Sequence, residues 1–99
     1  MNTPPPPFLA ELATHRPEFV ALAAEIRERA YYTPGALDAK TKLLIALALD
    51  IAAGAEEGVK TLAARARAAG ATQDEILDVL QVCYSVGGLQ RLSSGAKAL

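Results

Sequence analysis

The chain contains one cysteine, Cys83, and one histidine, His15, so most of its titratable side chains are carboxylates, tyrosines, lysines and arginines. Cys83 falls on the apolar stripe of a predicted helix, where a free cysteine packs as a small hydrophobic residue. A reactive thiol would need a cationic neighbour, and only Arg91 could fold back to provide one. His15 stands just before a predicted helix, which favours a solvated or capping role. These two residues exclude an internal disulfide and an all-Cys/His zinc site.

Asp50 is an unusual acidic residue because it lies near the C-terminal end of a predicted helix that is otherwise apolar. The helix dipole disfavours an anion at that end, so a tertiary contact must compensate. We expect an ion pair with Arg65, Arg67 or a partner chain. The alternative is that Asp50 faces a ligand pocket.

Three further residues are candidates for a polar site. Glu56 and Glu57 fall in the first turn of a predicted helix, where acidic residues are common because they suit the helix dipole. As a pair they could instead bind a cation or serve as a base. Tyr84 could line a pocket, whereas Tyr31 and Tyr32 are expected to cover the edge of the core with their phenol groups in water.

The composition predicts a small all-α protein. Of the 99 residues, 52% are hydrophobic and 21% are charged, with alanine and leucine dominating the apolar set. The net charge of −1, without a block of lysine and arginine, gives no basis for binding nucleic acid. No apolar run is long enough to span a membrane. We therefore expect a cytoplasmic protein that has no cofactor and no metal and binds neither nucleic acid nor membrane.

The hydrophobic pattern predicts a Pro-rich tail and one domain of about five or six helices. Residues 1–7 include four consecutive prolines and are expected to be extended, whereas residues 8–99 form the domain. A short helix is predicted over residues 8–14, and an amphipathic helix begins at Pro17 and stops at residues 33–35. The apolar face of this second helix consists of Phe19, Leu22, Ala23, Ile26 and Ala30.

Local signals mark the boundaries of the later helices. Asp38 can cap the apolar helix over residues 40–53, and Gly54 ends it. Thr72 and Glu75 have the spacing of a capping box, which begins a further helix. The remaining signals are glycines that end or interrupt helices: Gly70, Gly87, Gly88 and Gly95, the last of which we expect to fray the final helix.

The helix over residues 40–53 is apolar on nearly every face, so it needs neighbours all round. A chain of this length has few helices to surround it. We therefore predict a homo-oligomer in which partner subunits complete the burial, and we expect residues such as Leu47 to be buried.

Residues 35–48, 52–54 and 68–76 resemble the carboxymuconolactone decarboxylase-like family, which includes the AhpD-like alkylhydroperoxidases. The similarity covers about residues 14–88. It rests on a Gly-x-Leu-Asp-x-Lys-Thr-Lys segment, the apolar helix and a Gly-Ala-Thr-x-x-Glu-Ile cap, in that order. The resemblance implies an all-helical fold that assembles as a homotrimer or homohexamer.

Redox members of that family carry a Cys-x-x-Cys-x-x-x-His motif and a glutamate twelve residues before the first cysteine. The matching positions here hold Leu43 for the glutamate, Ala55 and Gly58 for the cysteines, and Leu62 for the histidine. None of these side chains can form a disulfide or transfer a proton, so the resemblance implies a degenerate site without cysteine peroxidase activity. Decarboxylase members of the family keep the histidine and the glutamate, so Leu62 and Leu43 at these positions also argue against lactone decarboxylation. A small apolar pocket beside Leu43 and Leu62 could still bind a ligand.

Two hypotheses about function follow, and the sequence does not decide whether the protein is an enzyme. In the first, the protein is an oligomeric binding or structural protein whose ligand is a small apolar molecule or organic acid. In the second, Asp50, Glu56, Glu57 or Tyr84 performs acid–base chemistry on a small organic acid or lactone. A less favoured alternative is a redox partner that uses Cys83 across subunits.

Overall fold

The computed structural model describes residues 7–33 and 35–99, and all of their regular structure is helical. The extended tail predicted over residues 1–7 lies outside the described residues except for Pro7, which begins the first helix. Pro34, at the predicted stop after the second helix, also lies outside them. The helices are α1 (Pro7–His15), α2 (Pro17–Tyr31), α3 (Ala39–Ala53), α4 (Glu56–Ala68), α5 (Gln73–Gly87), α6 (Leu89–Gly95) and a closing 3₁₀ helix (Ala96–Ala98). The all-α prediction is confirmed.

The predicted signals set the ends of α3 and α5. The side chain of Asp38 accepts a hydrogen bond of 2.8 Å from the backbone N–H of Thr41, which caps α3. Gly54 ends α3 in the left-handed conformation, with φ of 72°, which a residue with a Cβ rarely adopts. At the start of α5, the Thr72 hydroxyl accepts from the Glu75 N–H and the Glu75 carboxylate accepts from the Thr72 N–H.

Helix α3 is the centre of the core, and it packs against α4, α5 and α6. Its side chains Leu43, Leu47 and Ile51 are fully buried. The alanines of α4 allow the helices to approach closely, and the other fully or nearly fully buried side chains include Val59, Ala63, Ala66 and Ile76. The predicted burial of Leu47 is therefore reached within a single chain.

The C-terminal helices close the core. Gly95 is buried, and a Cβ on this residue would lie 2.9 Å from Cγ of Leu80. The hydroxyl of Ser94 donates a 2.8 Å hydrogen bond to the backbone carbonyl of Ile51 on α3. The expectation that Gly95 frays the last helix is wrong, because the missing side chain instead lets α6 pack tightly against α5.

Helices α1 and α2 pack against each other and have no buried residue. The apolar face predicted for α2 is mostly exposed: Phe19 is 61% exposed and Ile26 is 60% exposed. This face stays uncovered in the single chain because α2 meets α3 along only a small part of its length. Leu49 on α3 is likewise 65% exposed.

Tyr31 and Tyr32 lie where α2 ends, and their rings pack edge to face with centroids 6.1 Å apart. Both are half-buried against the core, as predicted. The hydroxyl of Tyr32, however, is buried and has no hydrogen-bond partner among the described residues. The expectation that both phenol groups reach water is therefore wrong for Tyr32.

Candidate functional site

A cleft of about 1000 Å³ opens beside the junction of α3 and α4. The start of α1 and the second half of α2 form one wall, through Phe8, Leu9 and Tyr31 among others. The end of α3, the α3–α4 connection and one face of α4 as far as Arg65 form the other wall, which includes Leu62. The body of the cleft is therefore apolar, and its size suits a small organic molecule.

Asp50 lines this cleft from the end of α3. It is half-buried, and burial raises the pKa of its carboxyl. Its carboxylate lies against Gly58 of α4, whose Cα has no side chain to displace it. Among the described residues, the Asp50 side chain has no ion-pair partner within 4.0 Å. Of the two predictions for Asp50, the geometry fits the one that places it in a pocket.

The predicted partners of Asp50 lie elsewhere or remain unpaired. Arg67 donates hydrogen bonds to Gln73 and to the backbone carbonyl of Ala98, and so holds the C-terminus rather than Asp50. Arg65 lines the cleft, and its Nε is buried without a hydrogen-bond partner in the described part of the chain. Arg27 of α2 lines the same cleft.

Glu56 and Glu57 lie in the first turn of α4, as predicted, and both line the cleft from exposed positions. Glu57 also faces Lys60, with 3.4 Å between its Oε1 and the lysine Nζ. Its backbone carbonyl accepts a hydrogen bond from the hydroxyl of Thr61, a further cleft residue. The two glutamates thus add negative charge to the rim.

The four positions that match the redox motif do not all lie at the cleft. Ala55, Gly58 and Leu62 line the cleft. Leu43 is fully buried in the core of the bundle and does not line it. The apolar pocket predicted beside both Leu43 and Leu62 is therefore formed by Leu62 without Leu43.

Cys83 and Tyr84 both lie on α5, and neither lines this cleft. The Cys83 thiol is buried, and burial raises its pKa although the charge of Arg91 opposes the change. Its sulfur lies 3.8 Å from the carbonyl oxygen of Ala48, to which the thiol donates. Arg91 does fold back against Gly87, but a protonated and buried thiol is a poor nucleophile.

Residues 7–33 and 35–99 contain no cluster of three or more His, Cys, Asp or Glu side chains that is arranged to hold a metal ion. In the same ranges, no helix is both long and apolar enough to cross a membrane. His15, the one histidine, is exposed at the last residue of α1.

Sequence reasoning did not anticipate Arg27, Thr61 or the wall supplied by α1 and α2. Arg65 is predicted only as an ion-pair partner of Asp50, although Gly58, Leu62 and Arg65 have the i, i+4, i+7 spacing of one helix face. That spacing could have placed Arg65 beside the positions of the redox motif. No comparable signal exists for Arg27, because its place depends on how α2 packs.

Comparison with known proteins identifies relatives of this chain. The sequence model of the carboxymuconolactone decarboxylase family matches residues 17–99, and so extends beyond the predicted limit near residue 88. A crystal structure of an apo carboxymuconolactone decarboxylase family protein from Legionella pneumophila is 31% identical, with a TM-score of 0.83 over 91% of this chain and 80% of that one. A crystal structure assigned as a carboxymuconolactone decarboxylase from Burkholderia xenovorans LB400 is 26% identical, with a TM-score of 0.86 over 95% and 74%. No curated protein matches the sequence.

Proposed function

Because the chain belongs to the carboxymuconolactone decarboxylase family, we propose that it is a non-redox member that binds a small organic molecule in the cleft between α1, α2, α3 and α4. The observation that carries the proposal is the cleft itself. It places an apolar body of about 1000 Å³ next to Asp50 and Arg65, two polar groups that have no partner within the described chain. Apolar walls with a few oriented polar groups are typical of ligand sites.

The side chains at the family's redox positions support binding rather than thiol chemistry. Ala55 and Gly58 have no sulfur, and Leu62 has no proton to transfer. The remaining thiol, Cys83, lies in the core outside the cleft. We expect no hydroperoxide consumption by the purified protein, and no change when Cys83→Ser is compared with the wild type. Consumption that the substitution abolishes would support the alternative of a redox partner.

Binding can be tested by titrating the ¹⁵N-labelled protein with benzoate, a small aromatic acid. We expect chemical-shift changes at the amides of Ala55, Gly58 and Thr61 and none of comparable size at Val82, which lies on α5. Thr61→Trp should fill the cleft and abolish these changes. The matched control is Lys60→Trp, since Lys60 is exposed and does not line the cleft. Changes that survive Thr61→Trp would contradict the proposal, as would a wild type whose cleft amides respond neither to benzoate nor to benzylamine nor to the aminomethylbenzoates.

An enzymatic function is the second candidate, and the raised pKa of Asp50 favours it. A carboxyl that burial keeps protonated to higher pH can act as an acid on a small organic acid or lactone. Glu56 and Glu57 at the rim would be the accompanying bases. The test is the pH–rate profile of any such activity in wild type, Asp50→Asn and Glu57→Gln. If neither substitution alters turnover, these residues do not perform the chemistry.

We further propose that the protein is a homo-oligomer, either a trimer or a hexamer. The support is the set of exposed apolar side chains on α1 and α2, together with the exposed Leu49 of α3. Light scattering should give a mass of three or six chains. Phe19→Glu combined with Ile26→Glu should lower that mass without unfolding the chain, whereas Arg29→Glu, an exposed change of charge on the same helix, should not. A monomeric wild type would contradict the proposal.

A further inference from the structure

Two groups of opposite charge share the cleft without neutralising each other. Asp50 comes from the end of α3, and Arg65 comes from the last turn of α4. Neither forms an ion pair within 4.0 Å among the described residues, whereas Arg29, Lys40 and Lys60 all do. Opposite charges that line one cavity but stay apart leave space for a molecule between them.

Arg65 carries an incompletely satisfied donor. Its Nε is buried, and no atom of the described chain accepts a hydrogen bond from it. Leaving a buried donor unpaired is costly, and an anionic acceptor is the group that a guanidinium satisfies best. Because Nε itself is closed to solvent, a carboxylate in the cleft would pair with the part of the Arg65 side chain that lines the cleft.

The charges around the cleft argue against a ligand that is only an anion. Two cationic side chains line it, Arg27 and Arg65, against three acidic ones, Asp50, Glu56 and Glu57. A simple anion would meet the attraction of Arg65 and the repulsion of the carboxylates together. A molecule that also carries a positive group can place that group beside Asp50 and turn repulsion into attraction.

Gly58 makes the acidic position possible. A Cβ at this residue would overlap Oδ2 of Asp50 and lie 3.0 Å from its Cγ. The glycine therefore keeps the carboxylate inside the cleft, at the position where redox relatives carry their second cysteine.

From this arrangement we infer that the cleft binds a small zwitterion, with an anionic group at Arg65, an ammonium group at Asp50 and an apolar body against Phe8, Leu9 and Leu62. The inference rests on the proposed binding function and specifies the class of its ligand. Each polar end of such a molecule would gain a charge-assisted hydrogen bond in a partly dehydrated site.

The probes that test this inference are the 2-, 3- and 4-(aminomethyl)benzoates, which hold a carboxylate and an ammonium at three different separations. Benzoate and benzylamine are the matched probes with one charge each. We expect at least one of the three isomers to bind the wild-type protein at least about tenfold more tightly than either single-charge probe. Affinities come from NMR titration of the cleft amides.

Two substitutions assign the two ends of the ligand. Asp50→Asn should reduce the affinity of the best isomer to that of benzoate and leave benzoate binding no weaker. Arg65→Gln should reduce it to that of benzylamine and weaken benzoate as well. Asp78→Asn and Arg29→Gln, both exposed and outside the cleft, are the matched controls and should change nothing. Amide spectra of each variant establish that it is folded.

The outcomes separate this inference from the proposed function. If benzoate shifts the cleft amides but no isomer binds more tightly, the cleft binds small molecules and the zwitterion inference is wrong. The inference also fails if Asp50→Asn leaves the advantage of the best isomer intact. If none of the five compounds shifts the cleft amides, both the inference and the proposed function are wrong.

Discussion

The carboxylate of Asp50 occupies the space directly over the Cα of Gly58, where any side chain at position 58 would have to lie. Asp50 belongs to α3 and Gly58 to the first turns of α4, so this contact joins the two helices at the cleft. A glycine in a helix costs about 0.5–1 kcal/mol relative to alanine. The contact with Asp50 gives that cost a structural reason.

Gly58→Ala should move the carboxyl of Asp50 towards water. The overlapping atoms are at the end of a flexible side chain, so we expect the variant to fold, with a free energy of unfolding within about 1 kcal/mol of the wild type. The pKa of Asp50, followed by NMR of its carboxyl carbon, should return towards the ordinary range because the burial that raises it is lost.

The control for this substitution is Ala64→Gly, at an exposed position of the same helix. It should lower the free energy of unfolding by about 0.5–1 kcal/mol through helix propensity alone. The pKa of Asp50 should stay where it is in the wild type. An unchanged Asp50 pKa in Gly58→Ala would show that the carboxyl does not depend on the space at position 58.

Asp50→Asn should stabilise the protein at neutral pH. Burial raises the pKa of Asp50 in the folded state. The contribution of Asp50 to the free energy of unfolding is therefore fully present below its unfolded pKa and is lost as pH rises through its folded pKa. Asparagine cannot ionise, and the advantage of the variant should therefore shrink as pH falls into the acidic range. Urea unfolding at neutral and acidic pH measures the difference.

Asp78→Asn, on the exposed surface of α5, controls for the change in net charge. A variant at position 50 that is less stable than the wild type at neutral pH would mean that the carboxylate has a stabilising partner, and the cleft as described would be wrong.

Glu75→Gln should destabilise the protein at neutral pH. Lys40 donates a 2.8 Å hydrogen bond to the Glu75 carboxylate, which with the Thr72 N–H lowers the pKa of Glu75; the same contact raises the pKa of Lys40. The contribution of Glu75 is present above its unfolded pKa and is lost as pH falls through its folded pKa. That of Lys40 is lost only as pH rises through its own raised pKa. The loss caused by the substitution should therefore diminish in acid.

Thr72→Ala is the comparison for Glu75→Gln because it removes the hydroxyl of the cap without changing charge. It should cost about 1 kcal/mol at both neutral and acidic pH. Chemical denaturation of the two variants at both pH values distinguishes them. Equal pH dependence in the two would show that the Lys40 contact contributes nothing.

Gly95→Ala should destabilise the core. The added Cβ would lie 2.9 Å from Cγ of Leu80 and 3.5 Å from Cγ2 of Ile51, both of which are buried. Overpacking of this kind typically costs about 1–3 kcal/mol. Ser93→Ala, two residues earlier and exposed, should change the free energy of unfolding by less than about 0.5 kcal/mol. A neutral Gly95→Ala would show that α6 is free to move outwards.

The helix boundaries could be predicted because their signals are local. The Asp38 cap, the left-handed Gly54 and the box formed by Thr72 and Glu75 each involve residues within a few positions of one another. Such contacts form whenever the helix forms, whatever it packs against. The burial of Leu47 was predicted on a different ground, the apolar character of its whole helix.

The features that the sequence did not predict depend on packing between distant segments. The buried hydroxyl of Tyr32 and the close approach at Gly95 arise from contacts between different helices. Arg27 lines the cleft because of the position in which α2 packs. No side chain of α2 is buried, so the hydrophobic pattern of this helix does not predict that position. Leu43 was expected to line the pocket because it matches a position of the redox motif, but its side chain is fully buried in the core.

A crystal structure of the protein grown with benzoate measures the central claim most directly. We predict density for the acid between α2 and α4, with its carboxylate against the Arg65 side chain that lines the cleft. Benzoate bound only elsewhere, with the cleft filled by the protein's own side chains, would contradict the account.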